Sequence, residues 1–287
     1  MTSGRLLVTG AAGQLGRRVV ELLREQGAGP IVAATRNPAQ LAGLSDVEVR
    51  RADFDDAASL DAAFAGVERA LLISTDAIGR RVAQHERAIA ALVKAGVKHV
   101  VYTSLPNADA STVSIAPEHA ATEKALRASG LGYTILRNNL YMDLMLFTLP
   151  NALKGGQLID ARANGKTAFV TREDCARAAA AALASSDTAN TIVDVTGPEA
   201  LTSDQLVAIA SEVTGRPLAH VSVSPDDFAS ALVAHGLPPA HAELYKTFDQ
   251  SIANGELAAV SDTVQRLTGR APITLRDYLR SVRNALV

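Results

Sequence analysis

The segment from Leu6 to Gly16 reads LLVTGAAGQLG, and it joins an apolar strand to a glycine-spaced turn that opens a helix. In such a turn the first glycine permits a tight bend, the second lets main-chain N–H groups approach a pyrophosphate, and the third lets the helix pack closely on the sheet. The positive end of the helix dipole adds to the attraction for an anion. The segment therefore predicts a dinucleotide site whose pyrophosphate lies against the main chain of Gly10, Ala11, Ala12, Gly13, Gln14 and Leu15.

The residues that follow complete a strand–helix–strand unit. Apolar side chains recur at helical spacing on one face, at Leu15, Val19, Leu22 and Leu23. Gly27 ends this pattern, and residues 31–35 (IVAAT) read as a second buried strand. The alternative, a glycine-rich loop that joins any strand to any helix, does not account for the complete unit.

The end of the second predicted strand indicates which cofactor the site takes. An NAD enzyme usually places an acid there against the ribose 2′-hydroxyl, whereas this strand ends in Thr35, Arg36, Asn37 and Pro38. A guanidinium at that point can bind a 2′-phosphate through two hydrogen bonds and stack on adenine. The sequence therefore favours NADPH. The alternative is that Arg36 is a solvated charge at a strand end.

The composition excludes several classes of protein. The 287 residues include 28 basic and 30 acidic ones, a balance that gives no positive field for nucleic acid or an anionic membrane. The one cysteine, Cys175, cannot form an internal disulfide and reads as a small buried residue at a helix start. Gly4 and Arg5 precede only a short apolar run, so we expect neither a signal peptide nor a membrane span, and a cytoplasmic location.

The other reactive side chains give weak signals. The six histidines show no metal-binding spacing, and no metal is expected. His85 and Glu86, on a predicted helix, are interpreted as polar surface or as a contact at the cofactor edge. Ser104 lacks the glycine-flanked turn of a hydrolase nucleophile, which argues against a hydrolase.

Strand-like and helical patterns alternate along the chain, which predicts a doubly wound parallel sheet of the Rossmann type in the α/β class. Further predicted strands lie at residues 47–49, 70–75, 97–104, 133–136 and 191–196. Helix-start signals follow at Thr171, Thr202 and Ser224. We expect an NADP-binding domain at residues 1–150. Residues 151–287 should provide the last part of the sheet and a smaller, mostly helical lobe that faces the substrate. No clear linker separates the two parts, so the boundary between them is not sharp.

Six segments in chain order resemble the NmrA-like atypical short-chain dehydrogenase/reductases, and particularly members that reduce quinones and triphenylmethane dyes. These segments are residues 9–16, 36–38, 72–74, 102–105, 119–124 and 136–141. The resemblance covers nearly the whole chain. It implies an NADP-binding Rossmann domain with a small C-terminal lobe that forms a cleft over the nicotinamide.

One departure from the related tyrosine-type enzymes bears on the chemistry. Those enzymes use Tyr-x-x-x-Lys, but here Ala120 stands four positions before Lys124, and His119 has the wrong spacing relative to that lysine. Without this proton donor, the rate of a carbonyl reductase would fall by a factor of about a hundred or more. A quinone differs, because hydride transfer brings aromaticity to its ring and water can supply the proton.

The resemblance also implies roles for particular residues. Besides the glycine turn and Arg36, it places residues 53 and 54 at the adenine, several polar residues at strand ends, a lysine at the nicotinamide ribose and the loop after the sixth strand at the carboxamide. These predicted cofactor contacts are Asp53, Phe54, Ser74, Thr75, Thr103, Ser104, Lys124, Asn139 and Leu140, with Lys124 as the catalytic residue. The alternative for Lys124 is a solvated lysine on a helix surface. Tyr141, Met145 and Phe147 are predicted to wall a flat apolar substrate cleft, with membership of the lobe core as an equal alternative.

These observations predict an NADPH-dependent reductase that transfers a hydride to a flat conjugated acceptor, and a quinone in particular. Its partners are expected to be a small aromatic or quinone substrate, with no nucleic acid and no membrane, in a monomer or a homodimer. The alternative is a redox sensor of the same family that binds the dinucleotide without turning it over, because the missing tyrosine fits that role equally well.

Overall fold

The parallel sheet predicted from the alternating pattern is present. The computed structural model describes residues 4–44 and 46–287. Its strands are β1 (Arg5–Val8), β2 (Ile31–Thr35), β3 (Glu48–Arg51), β4 (Val67–Leu72), β5 (His99–Ser104), β6 (Gly132–Asn138), β7 (Gln157–Asp160), β8 (Thr191–Val195) and β9 (Ala219–Ser222). Seven of these form one parallel sheet in the order β3-β2-β1-β4-β5-β6-β8. The chain order reverses between β1 and β4, so the predicted doubly wound fold is confirmed.

Helices cover both faces of this sheet. They are α1 (Gln14–Glu25), α2 (Ala57–Phe64), α3 (Arg81–Lys94), α4 (Ala116–Ala128), α5 (Met145–Gly155), α6 (Arg172–Ala184), α7 (Ser203–Thr214), α8 (Pro225–Ala234), α9 (Pro239–Ala253), α10 (Thr263–Thr268), α11 (Leu275–Ser281) and α12 (Arg283–Leu286). Helices α1 and α6 pack together on one face, where the small alanine side chains of α6 allow close approach, and α2, α3 and α4 cover the other. All five residues of β2 are buried, as a strand covered on both faces requires.

The lobe in the second half of the chain has its own core. Apolar side chains of α5, α7, α11 and α12 form most of it, among them Leu149, Leu206 and Leu279. A two-stranded parallel sheet, β7 with β9, lies in the same half, and the sequence did not predict it. Both strands have only four residues with partly exposed sides, which gives too short a pattern to recognise.

The helix-start signals are confirmed, and one strand prediction needs correction. Thr171, Thr202 and Ser224 each accept a hydrogen bond from a main-chain N–H of the first turn of α6, α7 and α8. The strand predicted at residues 70–75 spans Val67–Leu72, so Ile73, Ser74 and Thr75 lie beyond its end. The domain boundary predicted at residue 150 falls inside α5, and the division stays a prediction. In the part of the chain that the structure describes, no helix is both long and apolar enough to cross a membrane.

A half-buried histidine in the lobe, His220, makes the stability of the protein depend on pH. Nε2 of His220 lies 3.0 Å from a carboxylate oxygen of Asp160, and Nδ1 lies 2.9 Å from one of Asp204. Burial lowers the pKa of His220, but the hydrogen bonds to the two aspartates outweigh it, so the pKa is raised. Since the raised pKa belongs to the folded state, the stabilisation is complete below the unfolded value of about 6.5 and is lost as the pH rises through the folded pKa.

We therefore expect His220→Gln to lower the melting temperature more at pH 6 than at pH 8.5. Thermal unfolding of both proteins at the two pH values measures this difference. His241→Gln, at an exposed position on α9, is the matched control and should change neither value. If His220→Gln lowers the melting temperature equally at both pH values, the ion pairs of His220 do not contribute to stability.

Candidate functional site

A cleft of about 600 Å³ lies along the carboxyl ends of β1, β2, β3 and β4. This edge includes the switch point of the sheet, which is where open α/β proteins bind ligands. Eight of the predicted cofactor residues line the cleft, namely Gly10, Ala12, Gly13, Arg36, Asp53, Phe54, Ser74 and Thr75. The sequence interpretation missed the other eight, namely Thr35, Asn37, Gln40, Ala52, Ile73, Asp76, Ala77 and Gln84. Half of these, Thr35, Asn37, Ala52 and Ile73, lie at or just beyond a strand end, where exact strand bounds would have found them.

Backbone geometry explains the glycines of the turn. Gly10 has a φ of 60°, in the left-handed region that favours glycine. A Cβ atom at Gly16 would lie 2.3 Å from the carbonyl oxygen of Gly10, so a side chain at this position has no room. Helix α1 therefore packs directly against the turn.

The amino end of α1 has no protein partner of the usual kind. Its N-cap, Gly13, provides no side-chain hydrogen bond, and its first turn contains no acidic residue. Helices α6, α7 and α8 have capping side chains and acidic residues in the first turn, whereas α3, α5, α9, α10 and α12 lack both, as α1 does. Among these six uncapped ends, that of α1 is the one whose N-cap residue lines the cleft. Helix N-terminal N–H groups that lack such a cap are satisfied by water or by an anionic ligand. The arrangement fits the pyrophosphate of a dinucleotide.

Two arginines mark the end of the cleft at β2. Arg36 is exposed, lines the cleft and makes no hydrogen bond or ion pair to any residue in ranges 4–44 and 46–287. Arg17, on α1, donates from Nη2 to the main-chain oxygen of Gln40 at 2.9 Å, and Gln40 also lines the cleft. With no acid at this strand end, the residues present suit a 2′-phosphate better than a free ribose hydroxyl. Arg17 itself is not among the residues that line the cleft.

Three hydrogen bonds fix the cleft residue Thr75. Its N–H donates to Nε2 of His85 at 3.1 Å, its carbonyl oxygen accepts from Nε of Arg81 at 2.7 Å, and its hydroxyl donates to Gln84 at 2.9 Å. Burial lowers the pKa of His85 to about 3, so the ring is neutral. Nε2 accepts, so Nδ1 carries the proton toward Thr122, 2.9 Å away. His85 is fully buried behind the cleft, and the interpretation of it as polar surface was wrong.

A buried carboxylate organises the next strand ends. Glu123 on α4 is fully buried and accepts from the Ser104 hydroxyl at 2.6 Å. Arg137 on β6 donates to both of its oxygens, from Nε at 3.0 Å and from Nη2 at 2.7 Å. Thr103 accepts from the N–H of Ser74 at 3.0 Å and so lies directly beneath the cleft. Neither Thr103 nor Ser104 is among the residues that line the cleft.

Lys124 lies next to this carboxylate but faces the other way. Its side chain is exposed on α4 and makes no hydrogen bond or ion pair within the described ranges. The residue four positions before the buried Glu123 is His119, so these two share the inner face of α4. Nδ1 of His119 lies 2.9 Å from the hydroxyl of Tyr102 in the interior. The contact of Lys124 with the nicotinamide ribose stays a prediction.

The remaining predicted residues do not line the cleft. Ala11 and Leu15 are buried under the turn, and Gln14 is exposed at the first position of α1. Asn139 is buried and donates to the main-chain oxygen of Leu257 at 3.0 Å. Leu140 packs against the lobe core.

The three residues predicted to wall the substrate cleft lie in different environments. Met145 is part of the lobe core, which was the alternative interpretation. Phe147 is 74% exposed. The hydroxyl of Tyr141 accepts from Nδ2 of Asn138 at 3.1 Å, and burial raises its pKa above the usual range. The apolar substrate wall stays a prediction for Tyr141 and Phe147.

A second, smaller cavity of about 240 Å³ lies at the carboxyl ends of β5, β6 and β8. We call it the polar pocket, and it is lined by Pro106, Asn107, Arg137, Asn139, Asp194, Thr196, Glu256 and Ala259. Asn107 has a φ of 53°, a conformation that is uncommon outside glycine. Glu256 accepts from Ser111 and Thr112 and so ties the loop after β5 to the segment after α9. The cleft and the polar pocket together occupy the carboxyl edge of the sheet.

The parallel sheet, the glycine turn and the uncapped helix at the switch point define a dinucleotide-binding α/β protein. The sequence matches the NmrA-like family over residues 2–279. The chain therefore belongs to the NmrA-like family, as the sequence motifs predicted. It is 39% identical over 282 residues to quinone oxidoreductase 2 of Escherichia coli (strain K12). That alignment covers 97% of this chain and 99% of the relative.

Solved structures agree with this relationship. The NADPH-dependent quinone oxidoreductase of Escherichia coli, complexed with NADPH, matches with a TM-score of 0.93 and 39% identity over 96% of this chain and 99% of that one. The triphenylmethane reductase of Citrobacter sp., complexed with NADP(H), matches with a TM-score of 0.91 and 34% identity over 96% of this chain and 99% of that one.

Proposed function

We propose that this protein reduces quinones with a hydride from NADPH and does so without a catalytic tyrosine. The broader part of this conclusion is that the chain is an NADPH-dependent oxidoreductase, and it rests on the match to quinone oxidoreductase 2 over nearly the whole of both chains. The finer part, the quinone, is the proposal. A cytoplasmic location and the state of monomer or homodimer stay predictions.

The observation that carries the proposal is the fit of the cleft to NADPH. The main chain at Gly13 and the start of α1 would hold the pyrophosphate, and Arg36 would hold the 2′-phosphate. Asp53 and Phe54 line the cleft where the adenine is predicted. When it is bound, this cofactor supplies a hydride, and the protein supplies orientation.

The absence of a tyrosine from both cavities favours an acceptor that needs no tyrosine acid. The described part of the chain contains all of the tyrosines, and none of them lines the cleft or the polar pocket. Tyr102 is fully buried with its hydroxyl on His119, and Tyr141 is engaged with Asn138. A quinone gains aromaticity on reduction, so positioning supplies much of the catalysis.

Oxidation of NADPH by the purified protein with 1,4-benzoquinone tests the proposal directly. The absorbance of NADPH should fall at a rate proportional to the protein concentration, above the rate of the mixture without protein. If the protein binds NADPH in a titration but oxidises none with several quinones, the proposal is overturned in favour of the dinucleotide sensor.

We expect Tyr141→Phe to keep quinone reduction within about threefold of the wild-type rate. The hydroxyl accepts a hydrogen bond from Asn138, and its raised pKa makes the phenol a poor acid. Loss of that hydrogen bond should cost about 0.5–1.5 kcal/mol of stability. Steady-state kinetics with NADPH and benzoquinone measure the rate. A fall of several orders of magnitude with NADPH binding intact would show that Tyr141 is the proton donor.

A further inference from the structure

The polar pocket presents an arginine N–H donor and a carboxylate that no other described residue uses. Nε and Nη2 of Arg137 donate to Glu123, and Nη2 also donates to Asp109 at 2.8 Å, whereas Nη1 donates to no residue in ranges 4–44 and 46–287. The carboxylate of Asp194 accepts no hydrogen bond in the same ranges. The strand register pairs Arg137 on β6 with Asp194 on β8, so the two side chains lie side by side on the same face of the sheet.

The guanidinium of Arg137 is fixed before any ligand arrives. Glu123, which holds it through two hydrogen bonds, is fully buried and also accepts from Ser104. The Arg137 side chain is only 15% exposed. A donor held in this way loses little freedom when it binds an oxygen and so stabilises charge that develops there. The free Nη1 group suits a carbonyl oxygen.

We propose that the polar pocket binds the carbonyl end of the quinone acceptor, with Nη1 of Arg137 donating to the carbonyl oxygen and Asp194 supplying the proton to it. This inference rests on the proposed function. In the reaction the hydride of NADPH adds to a ring carbon of the quinone, the oxygen held by Arg137 takes the proton of Asp194, and NADPH leaves as NADP⁺. The ring carbon then releases one hydrogen as a proton to solvent while the second oxygen takes a proton from solvent, so both C=O bonds become C–OH bonds. The carboxyl group of Asp194 loses the proton and regains it from solvent.

The surroundings of Asp194 suit a proton donor. Burial raises the pKa of Asp194, Arg137 on β6 opposes that rise, and the negative charge of Glu123 on α4 adds to it. Glu256, from the segment after α9, lines the same pocket with a further negative charge. The carboxyl group therefore stays protonated to a higher pH than an ordinary aspartate, which is what a general acid requires.

The dimensions of the pocket restrict the acceptor. Its volume of about 240 Å³ is less than half of the 600 Å³ of the cofactor cleft, and its walls carry charged and amide side chains. A single-ring quinone with exposed carbonyl oxygens fits these walls better than a large apolar polyaryl compound. The acceptor class is therefore a small benzoquinone.

Asp194→Asn tests the proton donor, because asparagine keeps the shape of the side chain and removes the acid. In wild type, kcat for 1,4-benzoquinone should decline as the pH rises through the pKa of Asp194. The variant should lose about a hundredfold in kcat and show no such decline. Asp226→Asn is the matched control, at a side chain that is 92% exposed on α8, and it should behave as wild type.

Binding of hydroquinone to the protein loaded with NADP⁺, measured anaerobically by calorimetry, tests the pocket without turnover. Arg137→Lys keeps the positive charge beside Glu123 and removes the Nη1 donor. It should therefore weaken the binding of hydroquinone at least tenfold and leave the affinity for NADP⁺ unchanged. If wild type oxidises no NADPH with benzoquinone, the proposed function itself fails. If wild type is active but Asp194→Asn matches Asp226→Asn and Arg137→Lys binds hydroquinone as wild type does, only the assignment of the polar pocket is overturned.

Discussion

Gly16→Ala should lower both the stability of the protein and its affinity for NADPH, although alanine is the better helix former. The gain in helix propensity is about 1 kcal/mol. Against it, the new Cβ would lie 2.3 Å from the oxygen and 2.8 Å from the carbon of the Gly10 carbonyl group. Both are main-chain atoms of the turn, so relief requires the turn itself to move. Overpacking of this kind costs about 1–3 kcal/mol.

The displaced turn should weaken the binding of NADPH about tenfold or more, because loss of one charge-assisted hydrogen bond to the pyrophosphate costs about 1.5–3 kcal/mol. Thermal unfolding and fluorescence titration with NADPH measure the two effects. Gly155→Ala is the matched control, since Gly155 ends α5 and has no atom within 4 Å of its Cβ position. Equal behaviour of the two variants would show that close packing at Gly16 does not shape the site.

Arg36→Ala should weaken the binding of NADPH by about 1.5–3 kcal/mol, which is about tenfold to a hundredfold in Kd. The binding of NADH should stay nearly unchanged. Arg36 lies at the end of β2 with no protein partner in the described ranges, so its removal breaks no internal contact. The 2′-phosphate is the one group that NADH lacks, and the difference between the two cofactors therefore isolates this contact.

Titration of both cofactors into the variant gives the two losses directly. Arg270→Ala, at an exposed position outside the cleft, is the matched control and should change neither affinity. An equal loss of NADPH and NADH affinity in Arg36→Ala would rule out recognition of the 2′-phosphate by Arg36.

The first half of the fold was predictable because each unit carries a local signal. The glycine spacing at residues 10–16, the buried strand at residues 31–35 and the missing acid after it are all adjacent in sequence. Half of the residues that line the cleft, including Arg36, were named from these local signals, and their contacts with the cofactor stay predictions. They could be named because the end of a parallel strand is near the end of its apolar run.

Contacts between distant residues account for most of what the sequence could not predict. The polar pocket combines residues from positions 106, 137, 194 and 256, and no local pattern links them. His85 looks like surface in sequence because its buried role depends on Thr75 and Thr122. The motif comparison considered Lys124 and the residue four positions before it. It overlooked Glu123, the neighbour of Lys124, which is fully buried.

The cofactor cleft and the polar pocket draw on different strands, β1 to β4 for the one and β5, β6 and β8 for the other. The lining sets share no residue. Changes in the loops at residues 106–112 and 254–261 can therefore alter which acceptors the protein accepts while the cofactor preference stays as it is. The fold in this way separates two specificities that one enzyme must combine, and each can vary between descendants of the same gene without the other.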